Sequence, residues 1–171
     1  MIHDLDSFKL GESAEDLVVS TSDECRSVAA ALARQATRSL DILSQDLDAR
    51  IYDNDAFLEG LRNIATSSRH ATIRILTHET EPAIKHGHRL IETARRLTSA
   101  IEIRKVHPNY REHPEAFLIA DASGILHRKY RDRYEGIANF RAPNQARMLL
   151  QLFDEIWEHS AQDPELRRLH I

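Results

Sequence analysis

The sequence predicts an α/β protein with a mixed, mostly parallel sheet that is covered by helices on both faces. Short apolar runs of strand length alternate with amphipathic helical segments along most of the 171 residues, and strand candidates follow one another directly only near residues 101–140. A hydrophobic content of 42% and a charged content of 29% are ordinary for a globular protein. We expect a single domain over residues 1–171, in which residues 1–15 form a loosely held arm because they are polar and mixed.

The first hundred residues contain three strand candidates and three helix candidates. Alternating or β-branched apolar residues predict strands over 17–19, 39–43 and 71–77. Polar capping residues precede apolar residues at helical spacing, and these patterns predict helices over about 22–36, 54–67 and 81–97.

The second half begins with a half-buried strand over 101–106 and a continuous apolar run at Ala116–Ala120, which Asp121 ends. Ser123 and Gly124 give a turn signal, and another strand starts at Ile125 and becomes basic and aromatic through residues 127–134. A long helix from Asn144 presents a wide apolar face that comprises Met148, Leu149, Leu152, Phe153, Ile156 and Trp157.

This order of elements, with Asp121 after a buried strand and Gly136-x-x-Asn139-Phe140 before the last helix, resembles the C-terminal half of a phospholipase D-like domain. In that superfamily a strand opens with H-x-K-x-x-x-x-D and is followed by G-S-x-N. Asp121, Gly136 and Asn139 match, although the gap between Asp121 and Gly136 is longer than in the family. The histidine of the motif falls on Pro114 and the lysine on Ala116. The resemblance therefore implies a phospholipase D-like fold with a degenerate active site.

Three functions are compatible with this pattern. The leading hypothesis is a non-catalytic binding or partner module, because neither Pro114 nor Ala116 can act as a nucleophile or hold a phosphate. The second is a metal-independent phosphodiesterase or nuclease in which His127 and Lys129 replace the family's pair, with Asp121 nearby. The third is a structural appendage to an acyltransferase system, where the resemblance places similar segments.

A phosphate-bearing ligand is the partner that the basic stretch favours. Residues 127–134 carry four Lys and Arg against one Asp, and strand alternation would place the side chains of His127, Lys129, Arg131 and Arg133 on one face. Asn139 completes the candidate anion site, although it can equally hold the turn into the last helix. The alternative is an edge strand whose charges prevent pairing with other chains. If the strands at 71–77 and 116–120 are parallel, His78 and Asp121 should lie at one end of the sheet.

Composition narrows the partners further. The net charge is −4, and a local basic strip on an acidic chain does not favour general coating of nucleic acid. No membrane-spanning run is present, and the single cysteine, Cys25, is typical of a reducing cytoplasm. No cofactor motif is present. Metal binding is not expected at His78, His86 and His88, because side chains two residues apart on a helix point in different directions.

A homodimer is the expected assembly. The resemblance implies that two copies of this half-fold join about a two-fold axis, through residues near 136–140 and the start of the last helix. The alternative is a monomer in which residues 1–20 cover that face.

Overall fold

The computed structural model describes residues 4–167, which form a seven-stranded mixed sheet flanked by helices. The strands lie in the order β1-β7-β6-β5-β2-β3-β4 and span β1 (Leu17–Val19), β2 (Ser39–Ser44), β3 (Thr72–Thr77), β4 (Ile101–Lys105), β5 (Ala116–Ala120), β6 (Gly124–Arg128) and β7 (Gly136–Asn139). The helices span α1 (Ser22–Gln35), α2 (Ala49–Tyr52), α3 (Asp55–Ser67), α4 (Glu81–Lys85), α5 (Arg89–Arg96), α6 (Pro143–His159) and α7 (Pro164–Arg167), with short 3₁₀ turns at Leu5–Ser7 and Pro108–Tyr110.

The predicted mixed α/β class is confirmed, but parallel pairing does not dominate the sheet. Within the described chain, only β2–β3 and β3–β4 pair in parallel, whereas β1–β7, β7–β6, β6–β5 and β5–β2 are antiparallel. The reason is the length of the connections: residues 121–123 join β5 to β6 and residues 129–135 join β6 to β7. A parallel crossover needs a dozen or more residues, so these neighbours must run in opposite directions.

Helices cover both faces of the sheet, as the sequence predicts. One hydrophobic core lies between one face and α1, α3 and α5, and the other lies beneath α6. Leu149, Phe153, Ile156 and Trp157 of α6 face the sheet. Met148, which we expected on this apolar face, is instead 70% exposed. Its position on α6 lies outside the face that packs on the sheet.

Side-chain caps set the starts of the main helices. The hydroxyl of Thr21 accepts the backbone N–H of Glu24 at the start of α1, and the side chain of Asn54 accepts the N–H of Phe57 at the start of α3. The predicted helix over 81–97 is two helices. Gly87, in the left-handed conformation with φ 67°, follows the first, and the ring of His88 caps the second by accepting the N–H of Leu90.

The predicted loose arm over residues 1–15 is described only from residue 4 onward, and residues 4–15 are packed on the protein. The side-chain amide of Gln35 accepts the N–H of Leu10 and donates to the carbonyl of Phe8. The ring of Phe8 lies 5.8 Å from that of Phe140, and the N–H of Gly11 bonds the carbonyl of Phe140. These apolar contacts and backbone hydrogen bonds explain why a polar, mixed segment nevertheless takes a defined position.

Asp121 joins the turn between β5 and β6 to the start of β2. Its φ of 52°, with φ 55° at Ala122, forms a tight turn that the N–H of Ser123 closes on the carbonyl of Ala120. Its carboxylate accepts the backbone N–H groups of residues 37, 38 and 39 at 3.1, 2.8 and 3.0 Å. A sequence pattern that suggested a functional carboxylate thus produces a structural one.

Replacing Asp121 by Ala should lower the free energy of unfolding by about 2 kcal/mol, because three backbone donors lose their acceptor and alanine tolerates a positive φ poorly. Asp121→Asn is the matched control: asparagine tolerates this conformation and keeps one acceptor oxygen, so its loss should be less than half as large. Urea unfolding of the three proteins measures the difference. Equal stability of the alanine variant and the parent would contradict this role.

Candidate functional site

The candidate site lies where β2, β3 and β6 end and β5 and β7 begin, which we call the carboxyl end of the sheet. Because β5 runs antiparallel to β2, the segment that precedes β5 meets the segments that follow the other strands. Gln45 follows β2, His78 follows β3, His113 precedes β5, and His127 is near the end of β6. Three of these residues are histidines, whose side chains are suited to acid–base or anion chemistry.

Glu115 lies between two of these histidines. One oxygen of its carboxylate is hydrogen-bonded to Nε2 of His127, and the other lies 3.3 Å from Nε2 of His113. The second contact is within ion-pair distance, but its geometry is not that of a hydrogen bond, and Nε2 of His113 has no hydrogen-bond partner in the described structure. The carboxylate therefore holds one imidazole firmly and the other loosely.

Arg131 fixes the segment that carries His113 and Glu115. Its backbone N–H donates to the carbonyl of Pro114, and its guanidinium donates to the carbonyls of His113 and Arg111 and to the side chain of Gln45. These bonds occupy all three guanidinium nitrogens. Arg131 thus positions the site, and its charge remains at the carboxyl end of the sheet.

His78 also lies at the carboxyl end of the sheet, where its surroundings disfavour the protonated imidazole. Burial, together with the charges of Arg131 and His113, lowers the pKa of the His78 imidazole to about 4. Its Nε2 is buried and has no hydrogen-bond partner among the described residues. His78 is therefore neutral at physiological pH, and one of its ring nitrogens is unused.

The predicted basic edge strand is not formed. Strand β6 ends at Arg128 and is flanked by β5 and β7, so it is an interior strand, and residues 129–135 form a loop that we call the basic loop. The antiparallel return to β7 requires this loop, which breaks the expected alternation of side chains. Lys129 and Arg133 are exposed, and the guanidinium of Arg133 lies 5.1 Å from the ring of Tyr130. The four candidate side chains at 127, 129, 131 and 133 therefore do not share one strand face.

Arg128 is a residue that the sequence analysis did not single out. It is 2% exposed, donates to the carbonyl of Arg133 at 2.6 Å and lies 4.0 Å from the carboxylate of Asp48. Burial raises the pKa of Asp48, although Arg128 opposes the shift. An open cleft of about 400 Å³ lies beside the pair. Arg128 thus anchors the basic loop through the carbonyl of Arg133. The only sequence signal for this role is its position in a stretch rich in cations.

Asp121 and Asn139 lie at the opposite end of the sheet from the histidines. Since β3 and β5 are not parallel, His78 and Asp121 do not meet, contrary to the conditional prediction. The side-chain amide of Asn139 donates to the carbonyl of Ala14 and to Asp16 and accepts the N–H of Arg141. It holds the segment before β1 and the turn into α6, and it is separate from the basic loop.

The positions of the family's catalytic pair are structural in this chain. Ala116 is fully buried in β5 opposite Arg128, and the carbonyl of Pro114 accepts the backbone N–H of Arg131. Among residues 4–167, no group of three or more His, Cys, Asp or Glu side chains is arranged to hold a metal ion. The helices of this part of the chain include none that is long and apolar enough to span a membrane.

The depressed pKa of His78 predicts a pH dependence of stability. The unfolded chain takes up a proton on this residue near pH 6.5, whereas the folded chain does so near pH 4. The stabilisation is therefore complete above about pH 6.5 and is lost as the pH falls toward about 4. Between about pH 7 and about pH 5, the parent should lose about 2 kcal/mol more stability than His78→Gln in urea unfolding. The exposed His70→Gln variant is the control, and a parent-like pH profile in His78→Gln would contradict the prediction.

Solved structures with the same fold include proteins of different kinds. TrmBL2, an archaeal chromatin protein whose structure shows a novel mode of DNA binding, is similar with a TM-score of 0.63 and 16% identity, over 89% of this chain and 55% of that one. This chain therefore spans only about half the length of TrmBL2. Nuc, a phospholipase D family member from Salmonella typhimurium, is similar with a TM-score of 0.59 and 14% identity, over 87% of this chain and 99% of its own.

NucT from Helicobacter pylori is similar over the same shares of the two chains, with a TM-score of 0.59 and 9% identity. At such identities the similarity shows the fold alone, and that fold is phospholipase D-like, as the sequence resemblance implies. No curated protein matches the sequence. The model of a domain of unknown function, DUF7931, matches residues 21–169, and because the match covers most of the chain, the protein belongs to the DUF7931 family.

Proposed function

We propose that this chain is a non-catalytic phospholipase D-like module that binds a phosphate-bearing ligand through its basic loop. The observation that carries the proposal is the carboxylate of Glu115, which contacts two histidines at the carboxyl end of the sheet. The family's nucleophile and cation would fall on Pro114 and Ala116, directly beside it.

Phosphodiester cleavage needs a free nucleophile and a positive charge that stabilises the phosphoryl oxygens. Here Nε2 of His127 is bonded to Glu115, and the guanidinium of Arg131 is taken up by carbonyl oxygens and Gln45. A carboxylate in this position would repel a substrate phosphate at short range. The arrangement therefore supports a phospholipase D-like fold that does not cleave phosphodiesters.

Binding in the basic loop is supported by two exposed cations beside two that are held by hydrogen bonds. Lys129 and Arg133 are exposed, whereas Arg128 and Arg131 fix the loop from within through backbone carbonyls. A loop held in this way presents its free cations with little loss of conformational entropy on binding. Phosphate oxygens are the ligands that such cations favour.

A phosphodiesterase that uses His127 and Lys129 remains the second candidate. The observation in its favour is the pairing of His127 with Glu115, since a carboxylate commonly orients a catalytic imidazole. Against this candidate, Lys129 lies in the exposed loop after β6, whereas the lysine of the phospholipase D motif lies within a strand.

The first test measures binding and cleavage together. Calorimetry with inorganic phosphate and anisotropy with a fluorescein-labelled oligothymidylate distinguish a free phosphate from a phosphodiester chain as the ligand. We expect binding that weakens with added salt, and an approximately tenfold loss of affinity in Lys129→Ala combined with Arg133→Ala, because exposed charge pairs are screened by salt and lost with the cations. Bis-p-nitrophenyl phosphate should not be hydrolysed without metal.

Arg147→Ala is the matched control, because it removes an exposed cation from α6. Equal losses in Arg147→Ala and the loop variant, or no binding of either probe, would contradict the binding site. Hydrolysis that disappears in His127→Ala would favour the phosphodiesterase instead. Absence of binding and of hydrolysis would leave the structural appendage as the better hypothesis.

We also propose that two copies of the chain associate through β7 and the start of α6. Val18 and Ile137 are paired across β1 and β7 and are 70% and 44% exposed, and Met148 of α6 is 70% exposed. Strand β1 is only three residues long and lies at the end of the sheet order. Exposed apolar side chains beside an open strand edge support a contact between identical surfaces.

Light scattering at micromolar concentration should report twice the chain mass of 19.6 kDa. Ile137→Asp should restore the mass of a single chain, because it places a charge in the proposed contact. Arg62→Ala, which changes an exposed residue of α3 away from the proposed contact, should leave the dimer unchanged. A parent mass near that of one chain would contradict the dimer.

A further inference from the structure

The carboxyl end of the sheet gathers several groups that favour an anion around a single carboxylate. The carboxylate of Glu115 contacts the rings of His113 and His127 through different oxygens. Burial lowers the pKa of the His78 imidazole, and the nearby charges of Arg131 and His113 lower it further. Two imidazoles thus contact one carboxylate, and the guanidinium of Arg131 lies beside the same segment, bonded to the carbonyl of His113.

The hydrogen-bonding capacity of this group exceeds what Glu115 uses. Nε2 of His78 and Nε2 of His113 are both buried without a hydrogen-bond partner in the described residues. Buried polar nitrogens are rarely left in this state, because each forfeits the hydrogen bond that it made with water. A carboxylate has two oxygens in one plane, whereas a tetrahedral oxyanion has four and can reach donors on more than one side.

The arrangement is open to small ligands. The side chains of His113, Glu115 and His127 are 21%, 27% and 28% exposed, so the outer parts of these groups lie at the surface, although Nε2 of His113 is itself buried. The segment beneath is fixed independently of Glu115, since Arg131 holds the carbonyls of His113 and Pro114. Loss of the Glu115 carboxylate should therefore leave the surrounding groups in place.

We propose that Glu115 occupies a binding site for a tetrahedral oxyanion, formed by His113 and His127 with His78 and Arg131 at its margin. The ligand class is inorganic phosphate, sulfate or the terminal group of a phosphate monoester. Glu115 acts as an internal occupant that keeps the site closed to such anions. This goes beyond the phosphate binding proposed for the basic loop, because the site uses the histidine rings rather than Lys129 and Arg133.

The test is a titration of the ¹⁵N-histidine-labelled chain with inorganic phosphate at constant ionic strength, followed by the ring signals of the histidines. In the parent, the ring signals of His113 and His127 should not respond saturably. In Glu115→Gln they should, with an affinity at least about tenfold above any parent response, because a neutral amide no longer supplies the counter-charge. Glu112→Gln, which changes an exposed acid in the same segment, should behave like the parent.

Adding Lys129→Ala and Arg133→Ala to Glu115→Gln separates the two proposals. A retained ring response in this triple variant would place the oxyanion among the histidines even if the basic loop binds nothing. Glu115→Ser provides a second variant if the glutamine variant is poorly folded. An absent response in both variants, a response as strong in the parent, or unfolding of both would overturn the proposal that Glu115 occupies an oxyanion site.

Discussion

The reversed direction of β5 is the constraint on which the arrangement of this molecule depends, and Asp121 enforces it. The carboxylate accepts three consecutive backbone N–H groups before and at the start of β2, while its own left-handed backbone turns the chain directly into β6. Strand β5 is thus held antiparallel between β2 and β6, in the middle of the sheet. The three residues between β5 and β6 are too few for the crossover that a parallel pairing of these two strands would require.

That reversal decides which residues meet. The segment before β5 comes to lie beside the residues that follow β2 and β3, so His113 and Glu115 join His78 and His127 at one end. The same reversal sends Asp121 and Asn139 to the other end, where both bind backbone groups. Residues that a linear motif groups together therefore lie at opposite ends of the sheet. Those at one end bind backbone groups, and those at the other carry the candidate site.

Local patterns in the sequence were sufficient for the positions of most strands and helices, since capping residues and apolar spacing act over a few residues. They were insufficient to predict the direction of the strands, the residue at which β6 ends and the partners of buried charged groups. These three features depend on residues that are distant in the sequence. Arg128 is neutralised by Asp48 and by the carbonyl of Arg133. Asp41 is 3% exposed because Arg74, from the neighbouring strand, bonds it. Neither partnership leaves a periodic signal, and the contact between Glu115 and His127 depends on the register of β5 with β6.

Charge balance is the last step by which the carboxyl end of this sheet is stabilised. A cluster of cations and imidazoles at a half-buried strand end needs a counter-charge or fixed dipoles, because uncompensated charge in a poorly solvated place is costly. In an enzyme that binds phosphate, the substrate can supply that charge. Here carbonyl oxygens satisfy Arg131, burial holds His78 neutral by lowering its pKa, and Glu115 contacts the other two histidines. Groups of the chain itself thus balance the charge at the carboxyl end of the sheet.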